Sequence, residues 1–145
     1  MRMKLLVAAG VFTLTTVLAA CGGDGSNSPG SAAEPRTIEV TTVDANVYEP
    51  ASIAVDAGET VRFVVTNSSQ TDHEFVVGDM EMQQMAEMQA REGSHGHTAA
   101  MASLPLGPGE TDETTITFDE PGELFYACHI SDHYEAGMVG TITVS

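Results

Sequence analysis

Cys128, His133 and Met138 share one short stretch, Phe125-Tyr126-Ala127-Cys128-His129-Ile130-Ser131-Asp132-His133-Tyr134-Glu135-Ala136-Gly137-Met138, with four residues between each donor and the next. A thiolate, an imidazole and a thioether are donors of a trigonal copper site of two histidines and one cysteine with a weak axial methionine, which serves Cu(II) and Cu(I) without large rearrangement. One loop supplies three donors, so the second imidazole has to come from elsewhere. His73, which opens the stretch Glu74-Phe75-Val76-Val77 after a polar segment from Asn67 to Asp72, is the donor to expect. Each residue alone has a plainer reading: Cys128 as a small buried hydrophobe, Met138 as core filler, His133 as a solvated loop residue. Taken jointly, in one order and one loop, they favour a metal. Zinc is the rival ion, but a lone thiolate beside a thioether is unlike its usual structural sites.

A second set of soft donors follows His73: Met80, Met82, Met85, Met88, His95, His97 and Met101. Thioethers favour Cu(I) and imidazoles accept Cu(II), so the stretch is a candidate auxiliary copper site. The competing reading makes the methionines the apolar side of a helix lying on the domain; Met85 and Met88 are helix neighbours, whereas Met80 and Met82 do not share their spacing. Cys21 belongs to different chemistry. Arg2 and Lys4 precede an apolar run, Leu5 to Ala20, that is too short to span a bilayer comfortably and reads as an export signal. The run ends Leu18-Ala19-Ala20-Cys21-Gly22, which resembles the bacterial lipobox and implies a diacylated Cys21 as mature N-terminus. Several acyl chains together anchor a protein stably where one does not. The alternative is a plain secretory leader that leaves Cys21 an idle thiol.

These donors need a frame. Residues 1–20 are set aside as leader, and 21–35, small and polar throughout, form a flexible tether that cannot bury enough apolar area to offset its ordering entropy. From Arg36 to Ser145 the chain turns to short runs rich in Val, Ile, Thr and Phe between turn residues, the pattern of an all-β sandwich in a single domain. Ile38 and Val40 alternate with Glu39 and Thr41, Ile53 and Val55 repeat the pattern, and Thr60 to Thr66 is the strongest strand. Glu74 to Val77, Thr111 to Phe118, Glu123 to Ala127 and Met138 to Val144 complete about seven strands, predicting two packed antiparallel sheets. An insertion at about 79–109 interrupts them. Asp79 to Glu92 has good helix propensity and no β-branched residue, and an irregular return through Leu104 to Gly109 is expected after it.

The run Gly58-Glu59-Thr60-Val61-Arg62-Phe63 to Asn67, the step His73-Glu74-Phe75 and the Cys128–His133–Met138 loop, in that order, resemble the cupredoxin family over nearly the whole domain. The resemblance implies a Greek-key β-sandwich and one mononuclear type 1 copper site on His73, Cys128, His133 and Met138. It further implies one-electron cycling with a redox protein partner, or copper handling of the kind seen in exported copper-tolerance cupredoxins with Met/His-rich insertions. The loop also resembles the type 1 site of multicopper oxidases, but Ala127 stands where a second flanking histidine would, and the His95-Gly96-His97 pair is too little for a trinuclear centre; no enzyme activity is expected. An unpaired thiol outside the cytoplasm is a liability unless something occupies it, as a metal would. The formal charge of −16 becomes −18 once Arg2 and Lys4 are removed, which excludes nucleic acid as a partner. The expected location is outside the cytoplasm, held to a bacterial membrane by lipid.

Overall fold

A computed structural model describes residues 34–44, 46–94 and 97–145. The leader, Cys21 and most of the tether, together with His95, lie outside the described residues. The rest forms nine strands and one helix: β1 Arg36–Val43, β2 Val47–Glu49, β3 Ser52–Val55, β4 Glu59–Asn67, β5 His73–Gly78, α1 Met80–Arg91, β6 Ala102–Leu106, β7 Thr111–Phe118, β8 Gly122–Ala127 and β9 Val139–Val144. One sheet has the order β2-β1-β4-β7 and the other β3-β9-β8-β5-β6.

Period-two alternation turns one face of each sheet inward. Val40, Val61, Phe63, Val65, Ile116 and Phe118 come from the first sheet, and Ile53, Phe75, Val77, Tyr126, Ile142 and Val144 from the second, to make one core that also holds Cys128 and Met138. Burying each such large side chain contributes about 1.5–3 kcal/mol relative to exposure. Tyr126 sits at the centre, packed on Tyr48 and Phe75 with ring centroids 5.1 and 5.3 Å away.

The sandwich is as the sequence predicts, but three details differ. The sheets are mixed, because β1 runs parallel to β4 and β3 parallel to β9. β2 is an added strand, antiparallel to the end of β1. The expected irregular return contains β6, which pairs antiparallel with β5 from His73↔Leu106 to Val77↔Ala102. Pro105 lies within β6, but β6 is a sheet edge, where a missing N–H is tolerated. The segment that departs from the sheets is therefore shorter than 79–109.

α1 follows β5 after one residue. Asp79 caps it, its Oδ1 accepting from the Met82 N–H at 2.8 Å. The helix lies on the outer face of the second sheet, with Met82 and Ala86 against Val76. All six residues of β5 are consequently buried: His73, Phe75 and Val77 face the core side by alternation, and Glu74 and Val76 face α1.

Candidate metal centre

Two segments meet at one end of the sandwich. β5 begins with His73, whose approach is fixed by Asn67, a buried side chain that ties its own loop together. Asn67 Nδ2 donates to the carbonyls of Thr71 and Leu106 at 2.8 and 2.9 Å, while its Oδ1 accepts from Thr42 Oγ1 and Ser69 Oγ at 2.9 and 2.8 Å. Thr71 Oγ1 lies 3.3 Å from His73 Nε2, which occupies that nitrogen and leaves Nδ1 for the site.

The second segment leaves β8 at Cys128 and returns into β9 at Met138. Hydrogen bonds within the loop set its shape: the His133 N–H donates to Ile130 O at 3.2 Å, the Met138 N–H to His133 O at 2.9 Å and the Cys128 N–H to Met138 O at 3.3 Å. Gly137 makes the final reversal at φ 95°, a region that favours glycine.

The structure brings three of the four expected donors face to face. Cys128 Sγ is 3.8 Å from His73 Nδ1 and 3.3 Å from His133 Nδ1, and the three donor atoms lie within 4.8 Å of one another. A metal with bonds of about 2.0 Å to nitrogen and about 2.3 Å to sulfur, held in a plane, sets sulfur and nitrogen about 3.7 Å apart, close to the two Cys128 Sγ distances here. The donor set therefore fits copper. Met138, wholly buried in the same core, is placed beside Cys128 by its carbonyl. Cys128 and His73 are buried and His133 partly so, giving the site one edge near solvent. Burial pushes the Cys128 thiol up to about 11, against the pull of two backbone hydrogen bonds, so a metal has to displace its proton. Burial, and then the neighbouring His133, lowers the pKa of His73 and keeps its imidazole neutral, the form that ligates.

A polar layer lies behind these ligands, on the α1 side of the sheet, and sequence reasoning missed its members Glu74, Gln83 and Glu87. His129 is fully buried; its Nε2 is 2.8 Å from Gln83 Oε1 and its Nδ1 3.1 Å from Glu87 Oε2, both on α1. Its N–H donates to Glu74 Oε1 at 2.8 Å, and the same oxygen is 3.2 Å from His97 Nε2. Burial is also the main cause that lowers the His129 pKa. For His129 itself the sequence does give the signal: it follows Cys128 in an alternating strand, which turns it away from the metal and into a hydrogen-bonded structural role.

The second set of candidate donors does not gather as a whole. Met80, Met88 and Met101 are exposed, and Met101 borders a separate cleft with Thr117 to Leu124. Met82, Met85 and His97 do meet, around a small cavity under α1.

A family model of copper-binding proteins, the plastocyanin/azurin family, matches residues 37–145. The chain is 35% identical over 171 residues to the copper-resistant cuproprotein CopI of Pseudomonas aeruginosa, across 97% of this chain and 94% of that protein. It is 38% identical over 125 residues to the protein of the same name in Rubrivivax gelatinosus, across 80% and 71%. Among solved structures, dithionite-reduced auracyanin of Roseiflexus castenholzii superposes with a TM-score of 0.67 at 26% identity, covering 75% of this chain and 96% of the auracyanin.

Proposed function

Because this chain belongs to the plastocyanin/azurin family of copper-binding proteins, we propose that it handles copper outside the cytoplasm, held to a membrane through Cys21, at one type 1 site that alternates between Cu(II) and Cu(I). The observation that carries this reading is the convergence of His73 Nδ1, Cys128 Sγ and His133 Nδ1 within 4.8 Å. Copper held there supplies a one-electron couple. Cys128, His73, His133 and Met138 would hold the ion, Cys128 as the main covalent anchor and Met138 as a weaker donor that would tune potential more than retention. The packed core and the Asn67 and Thr71 contacts hold these ligands still, so little rearrangement accompanies a change of charge.

Copper handling, rather than service to one dedicated partner, is supported by the names of the relatives and by the loop surface. The exposed residues beside the ligands are Ser131, Asp132, Glu135, Ala136 and Gly137, with no large apolar side chain among them. A carrier role shares the chemistry and has one contact in its favour. The His129 ring stacks on Tyr134, centroids 4.7 Å apart, and this leads from the residue after Cys128 towards the surface.

The test uses the full chain. With Cu(II) it should show an intense visible thiolate-to-copper band that Cys128→Ser abolishes, and only the unaltered chain should restore copper tolerance to a strain lacking it. Cys21→Ser behind a cleavable leader should move the protein from the membrane to the soluble fraction. A band that survives Cys128→Ser, or tolerance restored by that variant, would show the reading to be wrong.

A further inference from the structure

We propose that His129 and Tyr134 are positioning residues of the metal centre: their stacked rings, backed by α1, set the spacing between the Cys128 and His133 donors. This role rests on the copper site described above and gives its donor spacing a physical cause.

The two residues hold matching places in the chain. His129 follows Cys128, and Tyr134 follows His133. A planar trans peptide keeps consecutive Cα atoms about 3.8 Å apart, so whatever pins one residue narrows the position of its neighbour. The rings of His129 and Tyr134 face each other with centroids 4.7 Å apart and planes 30° from parallel, while Cys128 Sγ and His133 Nδ1 lie 3.3 Å apart. The two ligands are thus tied twice, once through their own donor atoms and once through the stacked pair on the α1 side.

One member of the pair is fixed and the other leans on it. His129 is fully buried; its N–H donates to Glu74 Oε1 at 2.8 Å, and its Nε2 and Nδ1 lie 2.8 and 3.1 Å from Gln83 Oε1 and Glu87 Oε2. Gln83 is itself anchored to the carbonyls of Val76 and Phe125, so α1 serves as a wall. Tyr134 lies instead in a turn whose residues 131–137 are exposed or half-buried. His133 needs such a hold. His73 is steadied at Nε2 by Thr71, but among the described residues the side-chain hydrogen bond of His133 is to Cys128 Sγ alone. Backbone bonds close the turn, from the His133 N–H to Ile130 O and from the Gly137 N–H to Tyr134 O, and the face of His129 is the buried surface on which Tyr134 rests. Arg91 adds an outer strap by pairing with Glu87 on α1 and Glu135 on the loop, though exposed pairs of this kind contribute little.

Substitutions at Tyr134 test this in the full chain carrying Cys21→Ser, where Cys128 is the single thiol. Tyr134→Phe keeps the ring and loses the hydroxyl contact with Met80 Sδ, 4.0 Å away; Tyr134→Leu keeps an apolar side chain with no ring to stack. With Cu(II) bound, Tyr134→Leu should shift and broaden the thiolate-to-copper band, shift the reduction potential and release copper to a chelator roughly twofold to tenfold faster, the range that a stacked aromatic pair is worth. Tyr134→Phe should match the unaltered chain in all three. In the metal-free chain, amide hydrogen exchange over residues 130–137 should quicken in Tyr134→Leu and stay as it was in Tyr134→Phe. That exchange pattern supports the clamp even in a chain that shows no thiolate band, an outcome that would sink the copper reading alone. The proposal is overturned if Tyr134→Leu lowers the melting temperature with band, potential and exchange unmoved, or if Tyr134→Phe behaves as Tyr134→Leu does.

Discussion

Gln83 is wholly buried on α1, and both ends of its amide are used. Nε2 donates to the carbonyls of Val76 and Phe125 at 2.9 and 3.0 Å, and Oε1 is 2.8 Å from His129 Nε2. One side chain thus joins the helix to β5 and β8 and fixes the residue that follows Cys128. Gln83→Leu keeps the volume but leaves a buried histidine nitrogen and two carbonyls short of a partner, at about 1–3 kcal/mol for each group left wanting. Urea unfolding should show a loss of at least about 2 kcal/mol, and a loss under about 0.5 kcal/mol would mean that the amide carries little. The ligands were legible in the sequence for a simple reason: Cys, His and Met are uncommon, and their order along one loop has few other physical uses. Glu74, Gln83 and Glu87 were not legible. Polar residues on a helix or strand read locally as solvated, and only the docking of α1 on the sheet, a long-range event, buries them.

β8 and β9 show what an element must do to deliver a ligand. They pair antiparallel from Gly122↔Val144 to Ala127↔Val139, and the metal loop is the connection between them. One step from the metal-loop end of this pair Gly140 faces Tyr126, and a Cβ there would come within 2.1–2.4 Å of the ring and its hydroxyl oxygen. Tyr126 cannot move aside, since it is packed on Tyr48 and Phe75 and its hydroxyl donates to Pro50 O at 2.5 Å. Gly140→Ala should therefore cost about 1–3 kcal/mol by overpacking and lower the melting temperature of the metal-free chain. An unchanged melting temperature would show that the strand pair gives way more easily than its packing implies. The strands themselves were mostly readable from period-two alternation, as in Thr60 to Thr66. Partners and directions were not, because β1 with β4 and β3 with β9 are parallel pairings across long stretches of chain that leave no local mark. β6 was not expected; it carries Pro105, whose cost vanishes at an edge.

At the scale of the whole molecule charge is the dominant property. The formal charge is −16, and the three arginines of the domain are all engaged: Arg36 with Glu59, Arg62 with Glu113, and Arg91 with Glu87 and Glu135. Exposed pairs of this kind add little stability, but they leave the remaining carboxylates with no basic side chain to offset them, so the surface field is strongly negative. Such a field raises the local concentration of cations and speeds their capture, and salt weakens it as the screening length falls from about 30 Å at 0.01 M to about 8 Å at 0.15 M. The second-order rate of Cu(II) uptake, followed by stopped flow at the charge-transfer band, should accordingly drop several-fold across that range. Slow rearrangement of the ligand loop could also change with salt, and the sign of the effect separates the two. Copper delivered as an anionic chelate meets repulsion instead of attraction, so its uptake should accelerate as salt is added. Equal slopes for the cation and the anionic chelate would mean that the field does not steer copper, and that the acidic surface serves solubility alone.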